Sequence, residues 1–238
     1  MKKTIQFQTF LAIVVALMVS CTHEPITPTP PTPNENFNEN FDPSDWVDLG
    51  LPSGLLWAKC NVGASSPQEF GDYFAWGETI TKSNYDWDTY KYWQDMLLTK
   101  YCGNSAWGYN GYSDNLTKLE PMDDAATVNM GSEVHTPTKL EWEELIANTT
   151  QTYTTIDTTH GILFTGSNGK TMFLPCAGQH YRFFSLFDGN EAGFYWSSSL
   201  REDFSYESWF ILFNSDTLRL SYVNRPIGYS VRAVRDSH

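Results

Sequence analysis

The spacing of apolar residues changes along this chain, and each change marks a change of structure. Residues 46–51 and 55–61 (W-V-D-L-G-L and L-L-W-A-K-C-N) are short apolar-rich runs joined by Pro52-Ser53-Gly54, which predicts two strands and a tight turn. Residues 71–77 (G-D-Y-F-A-W-G) form a third strand-like run bounded by glycines. From 80 to 120 no period is sustained. Trp87, Trp93, Trp107 and six tyrosines from Tyr85 to Tyr112 are scattered among Asn, Ser, Gly and Asp. That pattern predicts a long, loop-rich insertion packed down by its own aromatic rings.

Helical spacing follows. Residues 121–129 (P-M-D-D-A-A-T-V-N) open on proline, carry two acids in the first turn and stop before Gly131, which predicts a short helix. Residues 136–146 (T-P-T-K-L-E-W-E-E-L-I) hold the clearest helix start in the chain. Thr138 and Glu141 have the spacing of a capping box, with Pro137 and Trp142 at the two positions of a hydrophobic staple. The spacing predicts a helix over 139–148 whose Leu140, Trp142, Leu145 and Ile146 gather on one side, against a sheet. Beyond it the period becomes two. Residues 161–165 and 170–174 flank Gly166-Ser167-Asn168-Gly169 as a hairpin, and 194–198, 208–214, 217–222 and 230–234 read as further strands. Residues 179–193 read as an exposed loop carrying Tyr181, Arg182 and Phe187. Strands, two helices and then an antiparallel sheet place the chain in the α+β class.

The N-terminus has a different pattern. Lys2 and Lys3 precede an apolar run over 10–19, too short for the roughly 20 residues of a spanning helix. It ends in Met18-Val19-Ser20-Cys21, which is similar to a bacterial lipobox, although Met stands where Leu is usual. Residues 1–20 are therefore expected to be a lipoprotein signal peptide and Cys21 the acylated N-terminus, supplying the several chains that stable anchoring needs. Residues 21–45 contain six prolines among polar residues, a composition that predicts a disordered stalk reaching about 70 Å when extended. The folded domain is expected over 46–238, with the chain anchored in the outer membrane; the cell surface and the periplasmic face both stay open.

Charge narrows the partners. The chain carries 15 Lys and Arg against 28 Asp and Glu, a formal charge of −13, which repels nucleic-acid phosphate and anionic lipid. Membrane contact is thus expected through the lipid anchor alone. Aromatic residues make up 16% of the chain, which suits either a β-rich core or a sugar-facing surface.

Seven segments in order resemble the Fibrobacter-type major paralogous (FISUMP) domain, common in surface lipoproteins of Bacteroidota-type bacteria. They are W-V-D-L-G-L-P-S-G-L-L-W-A-K-C-N-V-G-A (46–64), G-D-Y-F-A-W-G-E-T (71–79), D-D-A-A-T (123–127), T-P-T-K-L-E-W-E-E-L (136–145), F-L-P-C-A-G (173–178), Y-W-S-S-S (195–199) and S-V-R-A-V-R (230–235). The P-T-K-L-E-W-E segment is also similar to the helix start of formylglycine-generating enzymes. The resemblance implies a C-type-lectin-like architecture: two helices, a small antiparallel sheet and long loops. The Arg usual before the helix motif is replaced by Val134-His135, which is expected to loosen the helix start. The copper-binding cysteine pair of the formylglycine-generating enzymes has no counterpart, since no cysteine follows Cys176.

A search for chemistry finds little. Cys60, Cys102 and Cys176 have no C-x-x-C spacing; they allow one disulfide with a spare thiol, or none, and read as buried thiols. Gly169-Lys170-Thr171 imitates the tail of a phosphate-binding loop, but Phe164 stands where the first glycine belongs. His135, His160 and His180 are scattered and read as surface or loop residues. No cofactor is expected; the oxygen-rich run Asp114, Asn115, Glu120, Asp123 is a weak hint of calcium without the alternation of an EF-hand loop. The expected function is a non-enzymatic module that binds glycan or protein through its loops, with Tyr181, Arg182 and Phe187 as contacts. The alternatives are a polysaccharide-acting enzyme using a carboxylate pair (Glu202 and Asp203, or Asp123 and Asp124) and a structural subunit of a surface fibre.

Overall fold

The computed structural model describes residues 45–182 and 184–237. The expected signal peptide, the expected acylation site Cys21 and nearly all of the expected stalk lie outside the described residues. In chain order the elements are β1 (Trp46–Asp48), β2 (Leu56–Asn61) and β3 (Tyr73–Phe74), then the small strands β4 (Trp93–Gln94) and β5 (Leu97–Leu98) inside the insertion. The helices α1 (Ala125–Met130) and α2 (Lys139–Asn148) come next. After them run β6 (Thr149–Ile156), β7 (Thr159–Gly166), β8 (Thr171–Pro175), β9 (Gln179–Tyr181) and β10 (Phe184–Phe187). Last come β11 (Gly193–Leu200), β12 (Glu207–Phe213), β13 (Leu218–Asn224), β14 (Tyr229–Ser230) and β15 (Arg232–Arg235).

The strands form a five-stranded sheet in the order β13-β12-β11-β14-β3, two three-stranded sheets (β1-β2-β15 and β6-β7-β8) and two hairpins (β9-β10 and β4-β5). The class is α+β, but the expectation of one small antiparallel sheet is corrected: there are several, and β14 runs parallel to β11.

Successive residues of the central strands serve different cores, because side chains alternate across a strand. Trp46, Ala58, Trp196, Phe210 and Ala233 belong to one hydrophobic cluster. Their neighbours Val47, Trp57, Tyr195, Ile211 and Val234 belong to a second. These strands are therefore buried on both faces and read as near-continuous apolar runs.

Helix α2 covers the second core. Both halves of the capping box form: the Glu141 N–H donates to Thr138 Oγ1 at 3.2 Å, and the Thr138 N–H to Glu141 Oε2 at 2.6 Å. The Trp142 ring lies 4.8 Å from Trp57, and its Nε1 donates to the Trp196 carbonyl at 3.3 Å. Leu140 departs from expectation. It is 73% exposed, since it sits about 200° around the helix from Trp142. The expected loosening by Val134-His135 is also corrected: His135 Nε2 lies 3.1 Å from Glu141 Oε1 and braces the capping carboxylate.

The first helix is shorter than its sequence suggests. Residues 121–123 form a 3-10 turn, and Asp124 then caps α1 by accepting from the Ala126 and Thr127 N–H groups. Asp124 also accepts from the Thr136 N–H and hydroxyl, which ties α1 to the approach of α2.

The 80–120 insertion packs as expected, with Tyr85, Tyr90, Tyr92 and Tyr101 buried in the first core. Beneath it Asp123, 2% exposed, accepts from Lys91 Nζ (2.9 Å), Lys100 Nζ (2.6 Å) and the Tyr101 hydroxyl (2.8 Å). Burial pushes this carboxyl up, but those donors and Tyr92 outweigh it and hold its pKa at about 2.

Candidate functional site

A surface cleft of about 510 Å³ lies between the 68–73 segment and the start of β9. The residues that give it chemistry are Glu69, Phe70, Asp72, Tyr73, His180 and Leu186. Buried polar groups hold the 68–73 wall in place. Asn61 Nδ2 donates to the Phe70 carbonyl at 2.9 Å and the Ser230 hydroxyl to the same oxygen at 3.2 Å, while the Asp72 N–H donates to Val62 O at 2.8 Å. Asn61 is itself fixed by Arg232, whose Nε donates to Asn61 Oδ1 at 2.9 Å.

The opposite wall is the strand pair β9–β10, which corrects the expectation of an exposed loop over 179–193. His180 exchanges backbone hydrogen bonds with Gly228, both at 2.8 Å, which fixes β9 beside the β13–β14 connection. Its ring centroid lies 4.2 Å from Tyr73 and 5.7 Å from Tyr85, and burial lowers its pKa, so the imidazole is neutral at pH 7. Among the described residues neither ring nitrogen of His180 has a hydrogen-bond partner. The Tyr73 hydroxyl donates to the Ala177 carbonyl and the Tyr85 hydroxyl to the Tyr73 carbonyl, so the two rings that pack tilted and edge-on against His180 are held in place.

Backbone strain concentrates in this wall. Nine non-glycine residues are described with positive φ, and four of them, Arg182, Leu186, Asp188 and Asn190, fall here. Asp and Asn tolerate that conformation, whereas Arg and Leu do so at a cost, and such strain clusters at sites of function. Gly178 (φ +67°) opens the segment where a Cβ would meet the backbone of Phe187 and Gly189. Asn190 closes it by accepting from the His160 N–H at 2.7 Å.

Tyr181, Arg182 and Phe187 all lie on this hairpin beside the cleft. Tyr181 is 40% and Phe187 59% exposed. Arg182 pairs with Asp86 at 3.3 Å and lies 5.2 Å from the Tyr181 ring. Sequence reasoning missed His180, Asp72, Tyr73 and Phe70. The only signal for them was the polar Asp72 inside an otherwise apolar, glycine-bounded run.

The carboxylates put forward as catalytic pairs lie elsewhere. Asp203 is exposed and bonded to Arg201, Glu202 is exposed, and Asp123 and Asp124 are occupied as described above. Glu69, in the cleft, accepts from the Ser65 N–H and hydroxyl, which lowers its pKa and suits it poorly to donate a proton. Of the oxygen-rich run, Asp114 accepts from the N–H groups of Tyr101, Cys102 and Leu116 and from the Tyr112 hydroxyl. Among the described residues no three His, Cys, Asp or Glu side chains converge as a metal site. Cys60, Cys102 and Cys176 are unpaired, and burial raises all three thiol pKa values, that of Cys176 to about 11. His135 braces Glu141, and His160 belongs to β7.

Compared with family models, curated proteins and solved structures, the chain finds no match.

Proposed function

We propose that this chain is a lipid-anchored envelope module of lectin-like architecture that binds a neutral glycan, without turning it over, in the cleft walled by residues 68–73 and the β9–β10 hairpin. One observation carries the reading. Aromatic rings (Tyr73 packed at a 45° tilt against His180, with Phe70 lining the same cleft) share it with the polar side chains of Glu69 and Asp72. A sugar ring has an apolar C–H face and a rim of hydroxyls, and this mixture of rings and acceptors matches both. The net charge of −13 favours a neutral glycan over an anionic one. Two helices beside antiparallel strands, with a long packed insertion, support the lectin-like assignment; the lipobox-like sequence at Cys21 supports the anchor and the outer-membrane location.

The test is a glycan array probed with the full-length chain in detergent, followed by titration of whatever neutral oligosaccharides are retained. Asp72→Ala and His180→Ala are expected to weaken binding by about tenfold each while the thermal midpoint holds. A well-folded wild-type chain that retains no neutral glycan, or variants that bind as the wild type does, would overturn the reading. Shortening of the oligosaccharide during titration would move the cleft to the enzymatic alternative.

A further inference from the structure

Beyond the hairpin lies a second concentration of aromatic rings. Trp87, Trp93, Trp107, Phe204 and Tyr206 are each half-buried or exposed, and they contact one another in a connected group. Trp87 and Trp93 lie 4.3 Å apart, Tyr206 lies 5.8 Å from both, and Trp107 lies 5.6 Å from Tyr206 and 5.2 Å from Phe204. Three separate segments supply these rings, and each is fixed. The buried Ser205 hydroxyl accepts from the Gly103 N–H at 3.1 Å, tying the 204–206 turn to the insertion. Arg201 binds both Asp203 and Glu207 and holds the two ends of that turn.

The polar atoms of these rings reach solvent. Of the fully buried indoles, Trp76, Trp142 and Trp196 donate to a backbone carbonyl, and Trp57 Nε1 is sealed in without a partner. By contrast, among the described residues the Nε1 groups of Trp87, Trp93 and Trp107 and the Tyr206 hydroxyl have no protein partner, and none of them is sealed from solvent. Trp87 and Trp93 rest on the first core, the rings meet one another tilted or edge-on, and their four unpartnered polar groups give this half-exposed aromatic patch a hydrogen-bonding rim. The surface also adjoins the cleft wall: Asp86, which pairs with Arg182 of the hairpin, caps the turn that begins at Trp87.

We propose that this aromatic group is a second subsite, and that the ligand is therefore a polysaccharide chain long enough to leave the cleft, pass Arg182 and stack on Trp87, Trp93 and Trp107. The inference rests on the glycan reading of the cleft and adds a ligand class to it: an extended neutral polymer instead of a terminal sugar. The rings are held in place before binding, so stacking on them costs little ordering entropy.

The experiment titrates the full-length chain in detergent with cello-, xylo-, manno- and malto-oligosaccharides of two to eight sugars, following tryptophan fluorescence and heat. For the series that binds, affinity is expected to rise about tenfold or more between the shortest and longest members, with indole quenching only for the long ones. Trp107→Ser, which removes the ring, is expected to erase most of that increment, and Trp107→Phe, which keeps a ring but removes the indole N–H, only part of it, both leaving short-oligomer binding unchanged. Binding of short and long members with equal affinity, or variants that retain the full increment, overturns the second subsite and leaves the cleft reading standing. If a variant fails to fold, the chain-length dependence of the wild type decides. No binding in any series overturns the extended-polymer proposal, and the cleft reading then stands or falls with the glycan array.

Discussion

Asp123 shows how a side chain's surroundings decide its role. Its neighbours in sequence suggested a first-turn acid or half of a catalytic pair, yet it is the buried acceptor for Lys91, Lys100 and Tyr101. Nothing local announces those donors, which come from 22 to 32 residues away. Because its folded pKa of about 2 lies below the unfolded value of about 4, the carboxylate contributes stability that is complete above pH 4. That stability is lost as the pH falls through about 2. Asp123→Asn is expected to cost about 3 kcal/mol at pH 7, because Lys91 loses its counter-charge and Lys100 is left with Glu120, and to flatten the acid limb of the stability curve. Urea melts across the acid range check both effects; an unchanged acid limb would remove Asp123 from the account. The same limit applies to His180. A histidine between Gln179 and Tyr181 gives no sign in sequence that two tyrosine rings will flank it.

At the scale of elements, legibility followed local chemistry. The bounds of α2 were readable because the cap, the staple and the helical period all lie within eleven residues and agree. Thr138→Ala should therefore cost about 1 kcal/mol, visible as a lower denaturation midpoint with an unchanged slope. Strand β6 was not readable. Its T-T-Q-T-Y-T-T-I has few apolar positions, and its turn to β7 uses Asp157 at φ +55° where a glycine would have marked it. The β9–β10 hairpin was hidden likewise, since Arg182 and Leu186 occupy backbone conformations that their side chains disfavour. What holds that hairpin is its base. Gly178→Ala is expected to cost about 1–3 kcal/mol and to raise amide exchange over 179–187 while the β11–β12 pair stays protected. Under the proposed reading of the cleft, glycan binding should fall with it. Exchange confined to wild-type levels would mean that the hairpin does not depend on Gly178.

On the scale of the whole molecule, the pieces meet at β15. This strand pairs with β2, and its other edge exchanges Val234–His135 backbone bonds at 2.9 Å with the approach to α2. Ala233 enters one core and Val234 the other. The S-V-R-A-V-R segment could be recognised in sequence as a strand, but its partners lie more than 170 residues away at one edge and about 100 at the other. Position alone therefore concealed that the second and last strands of the domain are adjacent. Arg232 makes the dependence testable. Fully buried, it donates to Asn61 Oδ1 and to the carbonyls of Ala58 and Lys59. Burial pushes its pKa down to about 10, so it remains a cation at neutral pH, compensated by these oxygens. Arg232→Lys keeps the charge but cannot reach all three acceptors, and it should cost about 3–5 kcal/mol, a large share of a domain's typical 5–15 kcal/mol. Since Asn61 also holds Phe70, the same change should loosen the cleft wall and, under the proposed reading, weaken glycan binding beyond the loss of folded protein. Arg219→Ala on the exposed edge strand β13 is the control, with an expected change within about 0.5 kcal/mol. Denaturant melts of the two variants, read beside oligosaccharide titration of the folded fraction, separate a strand that closes the fold from one that merely borders it.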